Sequence, residues 1–277
     1  MNKPSRRAVR QKCVDARYFE YDSFQDRLFV PAAMNLTWAF VRLGISGNTV
    51  SWISGLFALG GAFALSAENQ YIVLIGSFGY LVFYLLDYVD GAVARYRGEA
   101  GMSGQYVDWI IHVIAAVATM AGLVGGSLHN IGFWIFPFGI LAITAAALTT
   151  ARHSMGWFAV CMERQQRMAK GTDLTLLQTQ DPIPPTFIYR AIRAGTTFLF
   201  HENYLIFTLP ILAFTQLFTA DVFPDFRVIL VLIGGTVYFL VMVYEVQRIA
   251  KERSVDRAYR KLFLEDTHPN LPSDHFF

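Results

Sequence analysis

Apolar runs of about twenty residues recur along this chain, over roughly 48–66, 71–94, 105–127, 131–158, 198–219 and 228–248. An α-helix needs a run of that length to cross a bilayer, because each residue advances it by about 1.5 Å and the hydrocarbon core is about 30 Å thick. A helix also satisfies its own backbone N–H and C=O groups, which lipid cannot do. Only 16% of the 277 residues are charged, against 54% hydrophobic, and the charges gather in the links between the runs. The pattern predicts an all-α, polytopic membrane protein with six transmembrane helices. A net charge of +2 is too small for a nucleic-acid-binding surface. The basic stretch Met1–Arg17 lacks the short apolar core and small-residue cleavage site of a secretory signal, so no removed leader is expected. Cys13 and Cys161 belong to no CxxC or metal-ligand grouping and read as reduced thiols.

The basic residues set the orientation. Six crossings put 22 of the 23 Lys and Arg on one side and only Arg227 on the other. An excess of positive charge marks the cytoplasmic side. Both termini are therefore expected to face the cytoplasm, in a multi-pass protein of the cell membrane. Ahead of the first span, Phe29, Ala32, Ala33, Leu36, Phe40 and Leu43 share one helical face, with Arg27 and Arg42 at its flanks. Pro31 suits an early helix position. The stripe predicts an N-terminal amphipathic interfacial helix on the cytoplasmic leaflet; the alternative is that it packs on the protein itself. The expected organisation is a cytoplasmic segment over 1–47, a six-helix domain over 48–250 and a cytoplasmic tail over 251–277. The polar stretch from Glu163 to Arg193 reads as a cytoplasmic loop with short helices. Gly60-Gly61, Gly125-Gly126 and Gly234-Gly235 mark places where helices approach closely.

One stretch breaks the apolar pattern where a break is costly. Asp87 and Asp90 are three residues apart near the cytoplasmic end of the second span, and Asp108 and His112 are four apart near the start of the third. Each pair shares a helix face. An ionisable residue in a span costs about 2.5–3.5 kcal/mol at the bilayer centre and usually marks function. Three carboxylates that converge in a partly dry site repel one another unless cations neutralise them. Carboxylate oxygens with room for water suit Mg²⁺ or Mn²⁺, and such ions beside acidic groups suggest a phosphate-bearing substrate. Gly91 leaves room beside Asp90, Gly104 lies where free N–H groups at a helix start favour anions, and Arg95 is placed to hold a phosphate oxygen.

The same residues carry a resemblance. Asp87-x2-Asp90-Gly91-x2-Ala94-Arg95-x8-Gly104-x3-Asp108-x3-His112 resembles the D-x2-D-G-x2-A-R-x8-G-x3-D-x3-D motif of the CDP-alcohol phosphotransferases (CDP-alcohol phosphatidyltransferases) at seven of eight positions. Ile45 to Ser51 at the mouth of the first span is also similar, with Gly47 where many relatives have Pro. The resemblance implies metal-dependent transfer of a substituted phosphoryl group from a CDP-linked alcohol to an alcohol acceptor, with release of CMP, in phospholipid or related lipid synthesis. It implies two divalent ions bridged by Asp87 and Asp108, with Asp90 completing one site. Asn48, Gly91, Ala94, Arg95 and Gly104 would border the CDP, and a homodimer is expected by analogy.

His112 stands where that family has a fourth Asp, whose roles are second-metal ligand and base toward the acceptor hydroxyl. Three readings are open: imidazole as general base, imidazole as metal ligand, or loss of the second metal site with binding kept and turnover weak or absent. The bland reading is a His satisfied against a neighbouring helix. Arg152 and His153, near the cytoplasmic end of the fourth span, read equally as contacts for an acceptor phosphate and as interfacial anchors; Arg190 and Arg193 are weaker candidates of the same kind. A different intramembrane transferase, such as a prenyltransferase of the UbiA type, would need two Asp-rich motifs, and this chain has one.

Overall fold

Helix boundaries follow local cap chemistry. The computed structural model describes residues 4–15, 24–153, 186–220 and 222–252. Among them every regular element is helical. The N-terminal helices are α1 (Arg6–Asp15) and α2 (Phe24–Leu43). Then α3 (Gly47–Leu65) starts where Ser46 accepts from the Thr49 N–H, and α4 (Gln70–Arg97) where Asn69 accepts from the Tyr71 N–H. Such oxygens satisfy donors that a first turn leaves open. Gly98, in the left-handed region at φ 72°, ends α4, a conformation that favours glycine.

The third span runs further than expected. α5 (Met102–Ile131) continues through Ser127-Leu-His-Asn130, which the sequence reads as a link. Ser127 Oγ donates to the Leu123 carbonyl and Asn130 Nδ2 to that of Gly126, so both polar side chains are satisfied within the helix. The turn falls instead at Gly132, φ 60°, and a 3₁₀ turn, Gly132–Ile135, leads into α6 (Phe136–His153). Beyond the undescribed stretch come α7 (Phe187–Phe200) and α8 (Glu202–Thr219), bent 69° from each other. The end of the polar stretch, Phe187 to Arg193, is helical and runs on into the fifth apolar run. Last are α9 (Phe226–Ile233), a π-helical turn at Gly234–Tyr238, and α10 (Phe239–Lys251).

Among the described residues, length and composition qualify four helical stretches to cross a membrane, or five if the bent α7–α8 pair is one span. One of the four, Ser103–Thr150, has 48 residues, about 72 Å of helix and more than twice the core thickness. It folds back at Gly132, bringing Gly139 of α6 against Val124 of α5. The expected count of six is therefore not reached by these criteria alone.

Close helix approach holds the bundle together. A Cβ on Gly61 of α3 would lie 2.7 Å from the Gly76 carbonyl oxygen of α4, and one on Gly122 of α5 would lie 2.2 Å from that of Ala62. α3 is thus pressed by α4 on one side and α5 on another, which brings the ends of α4 and α5 near each other. In the π-helical turn, a Cβ on Gly235 would meet the Phe138 backbone of α6 at 2.1 Å. The stripe of α2 is used on the protein: Phe29 and Ala33 are buried, and Leu36 and Phe40 pack on a cluster with Leu86, Val89 and Val93 of α4. Phe24, Leu28 and Leu43 stay exposed. α1 docks on the same region, with Lys12 Nζ donating to the Tyr96 carbonyl at 3.0 Å.

The opposite end of the bundle, where α3 and α5 finish, holds a closed polar knot. Arg227 is 1% exposed. Its Nε and Nη2 donate to Asp225 at 2.9 and 2.5 Å, and its Nη1 donates to the carbonyls of Leu65 and Ala67 at 2.8 and 2.6 Å. Asn130 Nδ2 adds a bond to Asp225 at 3.2 Å. Burial pushes the Asp225 carboxyl up, but the bonds from the Arg227 guanidinium and backbone N–H, its charge, and Asn130 together hold it below the usual carboxylate range.

Candidate metal and nucleotide site

The five polar motif side chains come from two helix ends. The last turns of α4 carry Asp87, Asp90, Gly91, Ala94 and Arg95, and the first turns of α5 carry Gly104, Asp108 and His112. Helical periodicity puts Asp108 and His112 on one face, and the crossing on α3 aims that face at Asp87. His112 Nε2 lies 2.8 Å from Asp87 Oδ1 and 3.6 Å from Asp108 Oδ1. One donor atom from each of the three residues falls within 4.8 Å of the other two. The imidazole also packs edge-on against Phe83, one turn before Asp87, with centroids 5.3 Å apart at 72°. His112 is thus satisfied against the neighbouring helix α4, and the partner it meets there is the motif carboxylate of Asp87.

Asp90 is placed differently from its sequence neighbours. It is buried, and its Oδ2 accepts a 2.6 Å bond from Ser51 Oγ of α3. Three residues on a helix turn about 300°, so Asp90 sits some 60° around from Asp87, which turns it toward α3. The sequence groups four residues; three of them form the donor cluster, and Asp90 stands beside it on Ser51.

The residues expected to border a nucleotide lie on the same helix ends as these carboxylates and at the start of α3. A Cβ on Gly47 would lie 2.7 Å from Ala94 Cβ and 2.8 Å from the Asp90 carbonyl oxygen, so the start of α3 rests directly on the motif. A Cβ on Gly91 would lie 3.2 Å from Arg95 Nη1; the guanidinium thus folds back over Gly91. A Cβ on Gly104 would lie 3.3 Å from Asn48 Oδ1, so Asn48 spans from α3 to the start of α5. Arg152 and His153 close α6, and their side chains lie outside the described residues.

Several contacts were not foreseen. Ser51 had no signal in the sequence beyond its place at the mouth of the first span. Tyr88 donates to Asp26 of α2 at 2.7 Å, tying the amphipathic helix to the motif. Glu245, 5% exposed, accepts from Tyr189 and pairs with Arg193 at 3.3 Å. As an acid inside an apolar run it was detectable by the rule that flagged Asp87, but its partners sit in the polar stretch between the fourth and fifth apolar runs, more than 50 residues away in sequence. Arg193, a weak acceptor candidate, is thus already engaged by a carboxylate.

The donor set fits a divalent ion. Two carboxylate oxygens and one imidazole nitrogen converge, and carboxylates and neutral imidazole are both ordinary ligands for such ions. The sequence matches the family model described as CDP-alcohol phosphatidyltransferase over residues 45–218. That range holds α3, α4, α5 and α6 with every motif residue above. No curated protein matches the chain.

Proposed function

The chain belongs to the CDP-alcohol phosphatidyltransferase family, and on that premise we propose that it transfers a substituted phosphoryl group from a CDP-linked alcohol to an alcohol acceptor in phospholipid or related lipid synthesis. The acceptor oxygen forms a bond to the phosphorus next to the donor's alcohol. The pyrophosphate link to CMP breaks, CMP leaves, and the acceptor hydroxyl gives up its proton. The observation that carries this reading is the convergence of Asp87, Asp108 and His112 from two helix ends inside the family match.

The residues divide the work by chemistry and position. Asp87 and Asp108, with Asp90 braced by Ser51, would hold divalent metal, two ions by family analogy and Mg²⁺ or Mn²⁺ by ligand type. Metal bound there supplies positive charge that polarises the pyrophosphate and balances charge on the leaving group. Arg95, folded over Gly91, offers N–H donors to a phosphate oxygen, and Gly91 keeps the approach open. Asn48 and Gly104 border the nucleotide where α3 meets α5, and Ala94 lines the same wall. Arg152 and His153 are the candidates for an acceptor phosphate. These groups hold the acceptor oxygen and the phosphorus in line and near contact, which makes the step effectively unimolecular.

Six crossings of the cell membrane are part of the proposal, with the folded-back Ser103–Thr150 stretch counted as two and the bent α7–α8 pair as one. The site end and both termini face the cytoplasm, as the distribution of 22 of 23 basic residues supports. The division 1–47, 48–250 and 251–277, the interfacial placement of α2 and a homodimer complete the proposal. The test is CMP release from purified protein in lipid, across CDP-diacylglycerol and small CDP-alcohols with panels of acceptors. Metal-dependent CMP release with one donor supports the reading. Binding of CDP-donors with no CMP release on any panel supports instead a family member that binds without turnover.

A further inference from the structure

A nitrogen among carboxylates changes which metal a site prefers, and the placement of His112 decides whether that nitrogen is in the ligand set. Nε2 faces the Oδ1 atoms of both Asp87 and Asp108, at 2.8 and 3.6 Å. A base acting on an acceptor hydroxyl must direct its lone pair at that hydroxyl. Nε2 instead points into the carboxylate cluster, where any ion shared by Asp87 and Asp108 would lie. The ring also packs edge-on against Phe83, whose position one turn before Asp87 puts it on the same face of α4. Asp108 and His112, one turn apart on α5, present their donor atoms together.

We propose that His112 is a metal ligand through Nε2 and that it makes this a mixed nitrogen–oxygen site selective for a divalent transition ion of the Mn²⁺ class over Mg²⁺. The proposal rests on the transferase reading above for its setting, but its argument is the donor set. Mg²⁺ is hard, sheds its waters reluctantly and takes carboxylates together with substrate phosphates. Imidazole suits first-row transition ions, whose affinity for nitrogen rises from Mn²⁺ onward. A carboxylate in place of His112 would return the cluster to oxygen donors alone.

The experiment uses the full chain in lipid nanodiscs loaded with Mn²⁺ alone, read by pulsed electron paramagnetic resonance. Wild type is expected to show ¹⁴N modulation of the bound Mn²⁺, and His112→Asp is expected to bind Mn²⁺ without it. Competition with Mg²⁺ should show the Mn²⁺ preference lost or reduced in His112→Asp. Bound Mn²⁺ with no ¹⁴N coupling in wild type overturns the proposal. So does coupling that persists in His112→Asp, an unchanged preference, or no Mn²⁺ binding at all. If His112→Asp fails to fold, the wild-type spectrum alone still decides. CMP release measured on the same samples separates the two claims. Nitrogen coupling without CMP release defeats the transferase reading only, and CMP release without coupling defeats the ligand role only.

Discussion

The two ends of the helical bundle treat buried charge in opposite ways. At the Arg227 end, a guanidinium 1% exposed is matched by one carboxylate, two backbone carbonyls and Asn130, and the charges balance inside the protein. At the motif end, about 20 residues or roughly 30 Å away along α4, Asp87 and Asp108 gather around one imidazole, with Asp90 beside them on Ser51. Asp87 and Asp108 keep 25% and 41% of their side chains exposed. The first arrangement needs nothing further, and the second leaves acidic groups to be balanced by something that binds. The difference separates a polar group that locks a fold from one that serves a ligand, though both are ionisable residues at span ends.

The sharpest way to break the comparison is to remove charge from the motif end. Asp87→Asn or Asp108→Asn is expected to lower CMP release by about 10³-fold or more, since each removes charge stabilisation at the reacting phosphate, while thermal unfolding of the solubilised protein changes little. Full activity in either variant, or in protein stripped by a chelator, would end the assignment of that end to metal chemistry. The Arg227 end should respond the other way. Arg227→Met leaves the Asp225 charge buried and is expected to cost about 3–5 kcal/mol of stability, read as a lower unfolding temperature. Replacing both residues together by apolar ones should recover much of that loss. Mn²⁺ affinity measured on folded protein should be unchanged in both variants.

A smaller effect sharpens the boundary of the motif end. Ser51→Ala removes the bond that orients Asp90, and groups that orient ligands typically matter by about 10–100-fold in metal affinity or activity. A wild-type Kd for Mn²⁺ and wild-type turnover in Ser51→Ala would take Asp90 out of the site. The smallest expected effect is on acid stability. The Asp225 carboxyl is held below its ordinary value of 3.8 in the folded protein. Its contribution is therefore present above about pH 4 and is lost as pH falls through the lower folded value. Asp225→Asn should be less stable than wild type at neutral pH and flatten the acid limb of an unfolding-temperature profile; an unchanged limb would mean that the knot does not sense pH.

The sequence-legible parts were those that depend on spacing along one helix. The apolar runs located α3, α4 and the final α9–α10 segment within a few residues, because hydrophobic length is a one-dimensional property. The Asp87–Asp90 and Asp108–His112 pairs were placed by helical periodicity in the same way. The α5–α6 turn was misplaced, because Ser127 and Asn130 look like link residues until their side chains are seen bonded back into the helix. The stripe on α2 had two readings, and most of it packs on α4, since an apolar face pattern is the same whether protein or lipid covers it.

By itself the sequence determined that the chain is helical, membrane-spanning and equipped with an acidic motif at the basic-flanked end of its second apolar run. These follow from composition, period and charge count, which need no knowledge of what lies next to what. Only the tertiary structure decided that His112 stands between Asp87 and Asp108, that Asp90 leans on Ser51, and that Arg227 closes the opposite end. Each of those contacts joins residues on different helices, 25, 39 and more than 150 positions apart. Helix crossing is set by close approach at glycines such as Gly61 and Gly122, and periodicity along one helix carries no information about which face of another it will meet.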